Sequence, residues 1–588
     1  MRKWRKFVAA SVSLASLFWI WLLVASWKTA GVESSAPNRG ESIFVGRPLS
    51  GKPPAYRWRE PEWSENAAIP AAGHRANVYQ LPEQQFQTAV ERGQVHANYY
   101  PVEITGLLFP YAPFERMSPL ASRAAFRFLL AGGGEAAGQV HTLDDYHHWL
   151  GLFEPDSSNH TGASLPWGIT RVRRDDAVGQ TYGCAVCHSG QLFGRVVFGL
   201  SNRFPRASHS FELSKRRLPA VGDTMFRLAT GATDSEVALL RQTKRNLRWS
   251  GTKQPAALGL DSALANLALS LARRSDDPWA EKTEQHQIRD WATPYLHATI
   301  DSKPSVWWTM KYKTRFLSDG ALVSGNPAEA HLFWSELVRA GDLREFARWR
   351  ERNADTVREL AAAMFASKAP RYTDFFPADT LDVDRARRGQ IHYRQLCSRC
   401  HGDYQKAWET PNAAHLSAAE LLETVHVDYP SPTPVVNVGT DPQRYQGMAT
   451  IAERLNALAY AQERGIVLRP AQGYVPPPLE GIWARWPYFH NNSAPNLLAV
   501  LTRSEDRPVV YYAGPAHDPD TDFDRIANGY PDPDRAPGAW KQNPEYQFDT
   551  RLPGLSNRGH DEGIFLSDGE ELLTHDEKLD LIEFLKTL

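Results

Sequence analysis

Helical spacing of apolar residues dominates this chain, and the strict alternation that marks half-buried strands is sparse, so the pattern predicts a mainly α fold. It predicts helices over Pro119 to Leu130, over Asp234 to Leu247 with Asp234 as cap and Glu236 following, and over the strongly apolar Ser262 to Arg274. Pro327 to Lys368 continues in helical style, with charges spaced for solvent faces. Residues 64 to 181 otherwise read as mixed, and an aromatic-rich stretch there holds the adjacent pair His147 and His148, read as ordinary polar residues. From Ala369 to Asp379 two prolines break the helical pattern and predict a boundary. Beyond it Ala386, Gly389, Tyr393 and Cys397 share one helical face, whose small residues would let a second helix cross closely. The last residues offer that helix: Thr574 and Glu577 form a capping-box pattern, and Leu581, Phe584, Leu585 and Leu588 follow at i, i+3, i+4 and i+7.

The N-terminus adds a compartment. Arg2, Lys3, Arg5 and Lys6 precede an apolar run from Phe7 to Ser26. A basic segment followed by such a run is an export signal, and this one is long enough to span a bilayer. Residues 1–30 are therefore either a cleaved signal peptide or a retained anchor, and either way the body is delivered to the periplasmic side. Residues 31–63, rich in Pro and Ser, read as a tether. A chain of 588 residues is long for one core, so two large units are expected, 64–375 and 376–588. The net charge of −1 gives no reason to expect a nucleic-acid partner.

The chemistry lies in two pentapeptides, Cys184-Ala185-Val186-Cys187-His188 and Cys397-Ser398-Arg399-Cys400-His401. C-x-x-C-H is the attachment signature of c-type haem: two thiols bind the vinyl groups as thioethers, and the adjacent imidazole reaches the iron. The alternatives are a zinc site or a redox dithiol. Zinc pairs usually need further Cys or His nearby, and a redox dithiol would not carry a following His twice. All four cysteines of the chain fall inside the two motifs. The expected cofactors are two covalently bound c-type haems, with His188 and His401 as proximal ligands. The fold then reads as two cytochrome c-like haem domains with long loop-rich insertions and an N-terminal extension.

Beyond the haem motifs, four stretches carry a resemblance: WARWPYFHNNSAPNLLAVL ending at Leu501, RPVVYYAG from Arg507, LPGLSNRGHDEG from Leu552, and PSVWWTMKYKTRF from Pro304. They resemble the bacterial di-haem cytochrome c peroxidases and, more closely, the related rubber oxygenases. Asn492 stands where the family has Gly, and Trp486 where it has a small residue before Pro487.

The resemblance implies a division of labour between the irons, because a six-coordinate iron passes electrons and an open one takes oxygen or peroxide. It implies His560 as sixth ligand of the His401 haem, with Met448 and His490 as competitors, and an open face at the His188 haem, with His209 and Met225 as the nearest candidates to close it. Trp307, Trp308 and Phe316 are expected to shape that pocket or to pass electrons between the haems. The implied function is an exported haem oxidoreductase of dioxygenase-like or cytochrome c peroxidase-like type. Its partners would be a small redox protein or an apolar organic substrate, with oxygen or hydrogen peroxide. The alternative is a pure electron-transfer cytochrome with both irons six-coordinate.

Overall fold

The structure, a computed structural model, describes residues 54–153 and 165–588. The expected signal or anchor, and the tether up to residue 53, lie outside the described residues. The chain is mainly α, with 42% helix and 11% strand, and no barrel among the described residues. Among the described residues no helix is long and apolar enough to cross a membrane.

Two apolar clusters organise the chain. The first gathers the helices Glu83–Asn98, Ala263–Leu271, Pro327–Val338, Leu343–Arg352 and Ala354–Ala366. It also takes in the helix Gln443–Asn456 through Met448, Ile451 and Leu455, and strand Val467–Leu468 pairs with Leu322–Ser324. These two elements therefore belong to the first cluster, although they lie beyond the boundary expected near residue 376. The second cluster draws mostly on residues from Tyr372 to Leu588, among them Trp483, Trp486 and Phe584, and also takes in Leu192, Leu200, Leu260, Val306, Trp308 and Tyr312 from earlier in the chain.

A glycine lies at the main helix crossing in each cluster. In the first, a Cβ on Gly93 would lie 1.9 Å from the Glu359 carbonyl oxygen. Glu359 also accepts from Arg92 at 2.6 Å and Tyr56 at 2.6 Å, and pairs with His96 at 2.8 Å. In the second, the helix Val383–Leu396 crosses His575–Lys586 with Gly389 against Asp580. The box at Thr574 and Glu577 caps the latter helix as its sequence pattern requires. The predicted cap at Asp234 is displaced by one residue: Thr233 is the cap, accepting from the Glu236 N–H while the Glu236 carboxylate accepts from the Thr233 N–H at 2.8 Å.

Asp580 also joins its crossing by charge, accepting from Arg385 at 2.7 Å and Arg388 at 2.7 Å. Burial alone would raise the Asp580 carboxyl, but these hydrogen bonds outweigh it and hold it below the ordinary 3.8. A depressed carboxylate contributes stability that is whole above the unfolded value and is lost as pH falls through the folded one. D580N should lower the melting temperature at pH 7 by about 2–4 °C. The gap should close as pH drops below 3.8. Equal melting temperatures across that range would remove the pair from the account.

Candidate functional site

The first C-x-x-C-H turn is delivered by an antiparallel hairpin, Ile169–Arg174 with Ala177–Tyr182, and followed by another, Ser189–Leu192 with Arg195–Phe198. The second hairpin turns through Phe193 and Gly194, both at positive φ, as a two-residue connection favours. Gly183 lets the turn approach the end of the helix Glu83–Asn98, since a Cβ there would lie 2.4 Å from the Asn98 carbonyl oxygen. The Asn202 side chain pins the turn from below, donating to the Val186 and Gly151 carbonyls at 2.8 Å each.

His188 and His401 share one arrangement. Nδ1 of His188 lies 2.9 Å from the Ser305 carbonyl, and Nδ1 of His401 lies 2.8 Å from the Pro477 carbonyl. A carbonyl only accepts, so each Nδ1 carries the proton and each Nε2 keeps its lone pair, the tautomer that a metal ligand needs. Burial lowers both rings to about 4, which keeps them neutral.

Beside the second turn lies a cavity of about 500 Å³, lined by Cys397, Cys400, His401 and His560. That is well within the range of cofactor sites. The ring centres of His401 and His560 are 6.2 Å apart. One metal held by two imidazole nitrogens at about 2.0–2.1 Å sets ring centres roughly 6 Å apart. His560 takes a left-handed φ of 59°, flanked by Gly559, whose Cβ would lie 2.4 Å from the Val438 carbonyl oxygen. The His560 N–H donates to that same carbonyl at 2.7 Å.

The cavity is also cationic. Lys303, Lys313 and Arg485 line it, and among the described residues none of them has a carboxylate partner. Burial lowers Lys313 to about 8 and Arg485 to about 10. Unpaired buried cations are costly, and the two propionate carboxylates of a haem are the charge they lack. With the thiols, the facing imidazoles and these cations, the residues present fit a haem. Lys313 and Arg485 lie within stretches that carry the resemblance, but nothing in the sequence marks them or Lys303 as cations of one cavity.

The other expected residues divide. Trp307 packs on His188 at 5.2 Å between ring centres, and Phe198 stands edge-on to it at 5.1 Å. Trp308 turns to the opposite side, where its Nε1 donates to the Glu480 carbonyl at 2.8 Å. Phe316 is buried in the first cluster against Phe365. His490 lines the cavity beside His401, stacked on Tyr474 at 3.8 Å. Met448 is buried in the first cluster instead. His209 packs on Trp149, Met225 lies on the helix Asp223–Thr230, and His147 is buried beside Gln180 while His148 is exposed. Asn492 explains its own departure from glycine: its φ is 62°, a conformation Asn tolerates, and its side chain donates to the Gly259 carbonyl at 3.1 Å.

Residues 473–512, which form much of the wall around His401, match the family described as RoxA-like, cytochrome c-like. This ties the chain to haem cytochromes. Two curated proteins of Sinorhizobium fredii (strain NBRC 101917 / NGR234) are also similar. Uncharacterized protein y4iJ is 29% identical over 256 residues, covering 36% of this chain and 39% of its own length. Uncharacterized protein y4iM is 27% identical over 320 residues, covering 49% of this chain and 65% of its own. The matched stretch thus spans less than two thirds of either relative.

Proposed function

We propose that this chain is an exported di-haem c-type cytochrome oxidoreductase, in which the His188 site is the reaction centre for oxygen or peroxide and the His401 site is the electron relay. The asymmetry of the two sites carries this reading. His560 stands opposite His401 at 6.2 Å, whereas the ring in contact with His188 among the described residues is Trp307. A haem on each pair of cysteines would supply a redox-active iron, with an axial face free for a small molecule at the first site.

The protein's own contribution is positioning. The Ser305 carbonyl fixes the His188 ring, and Pro304, Ser305 and Val306 are also wall residues of the cavity at His401. A single strand of chain therefore separates the two sites. Trp307 faces one of them, and Trp308 packs into the cluster around the other. Cys184 packs against the larger apolar cluster, which includes Phe316, Phe333 and Trp334. That surrounding favours an oxygenase-like reaction on an apolar organic substrate over a peroxidase fed by a small redox protein. The basic residues and apolar run of the first 26 positions support a reaction outside the cytoplasm.

Carbon monoxide titration of the reduced protein tests the reading. One carbon monoxide bound per two haems is the expected result, and two low-spin irons that bind none would leave only electron transfer. Oxygen consumption with a polyisoprene, compared with peroxide consumption by a reduced small cytochrome, then separates the two chemistries.

A further inference from the structure

We propose, on the reading of His560 as the ligand facing His401, that Arg507 is the positioning residue of the second site: its buried guanidinium holds the left-handed turn that presents the His560 ring to the cavity.

Gly559 and His560 are both left-handed, at φ of 79° and 59°. That conformation is uncommon for a residue other than glycine and persists where the surroundings over-determine it. One side of the turn is closed by backbone, through the bond from the His560 N–H to the Val438 carbonyl and the close approach of Gly559 to Gly439. The other side is held by a side chain. Arg507 is 2% exposed, and its Nη1 donates to the Gly559 carbonyl at 2.8 Å and to the Asn557 carbonyl. From the opposite edge of the same fork, Nε donates to the Ala499 carbonyl at 2.9 Å and the Thr502 carbonyl at 3.0 Å. These are carbonyls at the end of the short helix Leu497–Val500, where intrahelical donors run out.

The side chain thus ties the His560 turn to a packed helix end, and the tie is reciprocated: the Asn557 side chain donates to the Pro508 carbonyl at 3.2 Å. A second contact reaches the ring itself. The Arg507 guanidinium lies 5.1 Å from the centre of the Phe489 ring, which lies 5.8 Å from the His560 ring, and Phe489 and His560 both line the cavity. Among the described residues no carboxylate is hydrogen-bonded to Arg507, and that of Asp561 is engaged by the N–H groups of Ser504 at 3.0 Å and Glu562 at 2.9 Å. Only a planar fork with donors on separate nitrogens can span both sides of such a gap; a lysine is a single point. The other resembling stretches converge on the same loop. Asn491 donates to the Gly554 and Ser556 carbonyls at 3.1 and 3.0 Å, and Tyr511 donates to the Asn492 carbonyl at 2.6 Å.

The test uses the full haem-loaded chain, with R507Q, R507K and H560A compared with the parent. The low-spin electron paramagnetic resonance signal and the hydrogen exchange of the amides from 557 to 561 are read. R507Q should turn much of one low-spin signal high-spin and speed exchange in that loop about tenfold or more, the size of one charge-assisted hydrogen bond. Added imidazole should restore the low-spin signal, because the face is vacated and the cavity is otherwise intact. R507K, which keeps the charge without the fork, should recover part of both readouts. Signals and exchange equal to the parent's in R507Q and R507K would overturn the assignment. So would exchange that rises throughout the second cluster with no rescue by imidazole, since Arg507 would then hold the unit rather than the ligand. A low-spin signal unchanged in H560A would instead overturn the ligand reading, and the role of Arg507 with it.

Discussion

H560A should convert one of the two haems from low to high spin and leave the other unchanged. The expectation follows from how His560 is held. Its loop is anchored by backbone and by neighbours, not by its ring. The His560 N–H binds the Val438 carbonyl at 2.7 Å, and the buried Arg507 guanidinium donates to the Gly559 carbonyl at 2.8 Å. On the other side, the Ser504 N–H donates to the Asp561 carboxylate at 3.0 Å. Removing the imidazole therefore removes a ligand without releasing the loop. No described neighbour is placed to replace it. His490 shares the cavity but is stacked on Tyr474 at 3.8 Å, and its carbonyl is tied to the Lys303 N–H at 2.8 Å. Burial lowers His560 to about 3, so the parent ring is neutral through the whole neutral range, as a ligand must be. The absorption and electron paramagnetic resonance spectra check this, and an unchanged low-spin signal in H560A would remove His560 as ligand. The variant should also gain a second carbon monoxide site, because a face that was closed becomes open.

The parts of the site that were legible share a physical feature: each is written in neighbouring residues. The C-x-x-C-H turns need only five positions, and the closing helix is announced by Thr574, Glu577 and a one-sided apolar stripe. The illegible parts depend on distant chain. The helix Glu83–Asn98 has no clear apolar stripe in the sequence because its buried face is made of Ala89, Gly93 and Ala97, small residues that carry little apolar signal. Their spacing of four was the clue. The carbonyls of Ser305 and Pro477 that orient the proximal rings belong to backbone, which no residue code records. Lys303 and Lys313 look like ordinary surface lysines until the fold closes over them. The adjacent Trp307 and Trp308 read as one motif, and only the turn of the chain sends them to opposite sides. Met448 shows the same limit, since it belongs to the first cluster although it lies beyond the expected boundary.

G389A should cost the second unit its stability, and the magnitudes decide the sign. In a solvent-facing helix, Gly to Ala stabilises by about 1 kcal/mol. At position 389 the new Cβ would lie 1.9 Å from the Asp580 carbonyl oxygen and 2.5 Å from its carbon. Both are backbone atoms of the crossing helix, so no side chain can swing away and the helices must separate. Overpacking typically costs about 1–3 kcal/mol and occasionally more, and a clash with rigid backbone belongs at the upper end. The net loss is then about 2 kcal/mol or more. It falls on a contact that holds the haem turn: Tyr393 meets Phe584 at 5.1 Å, donates to the Gly402 carbonyl at 2.7 Å, and its own carbonyl accepts from Cys397 at 2.8 Å. On heating, the low-spin signal of the His401 haem should therefore fade several degrees earlier than in the parent, while the His188 signal keeps its own transition. Gly138, which ends a short helix with nothing within 4 Å of its would-be Cβ, supplies the control. G138A should be neutral or slightly stabilising. Equal melting of G389A and G138A would mean that the two helices do not cross at Gly389, and the second site would lose the contact that aligns its turn.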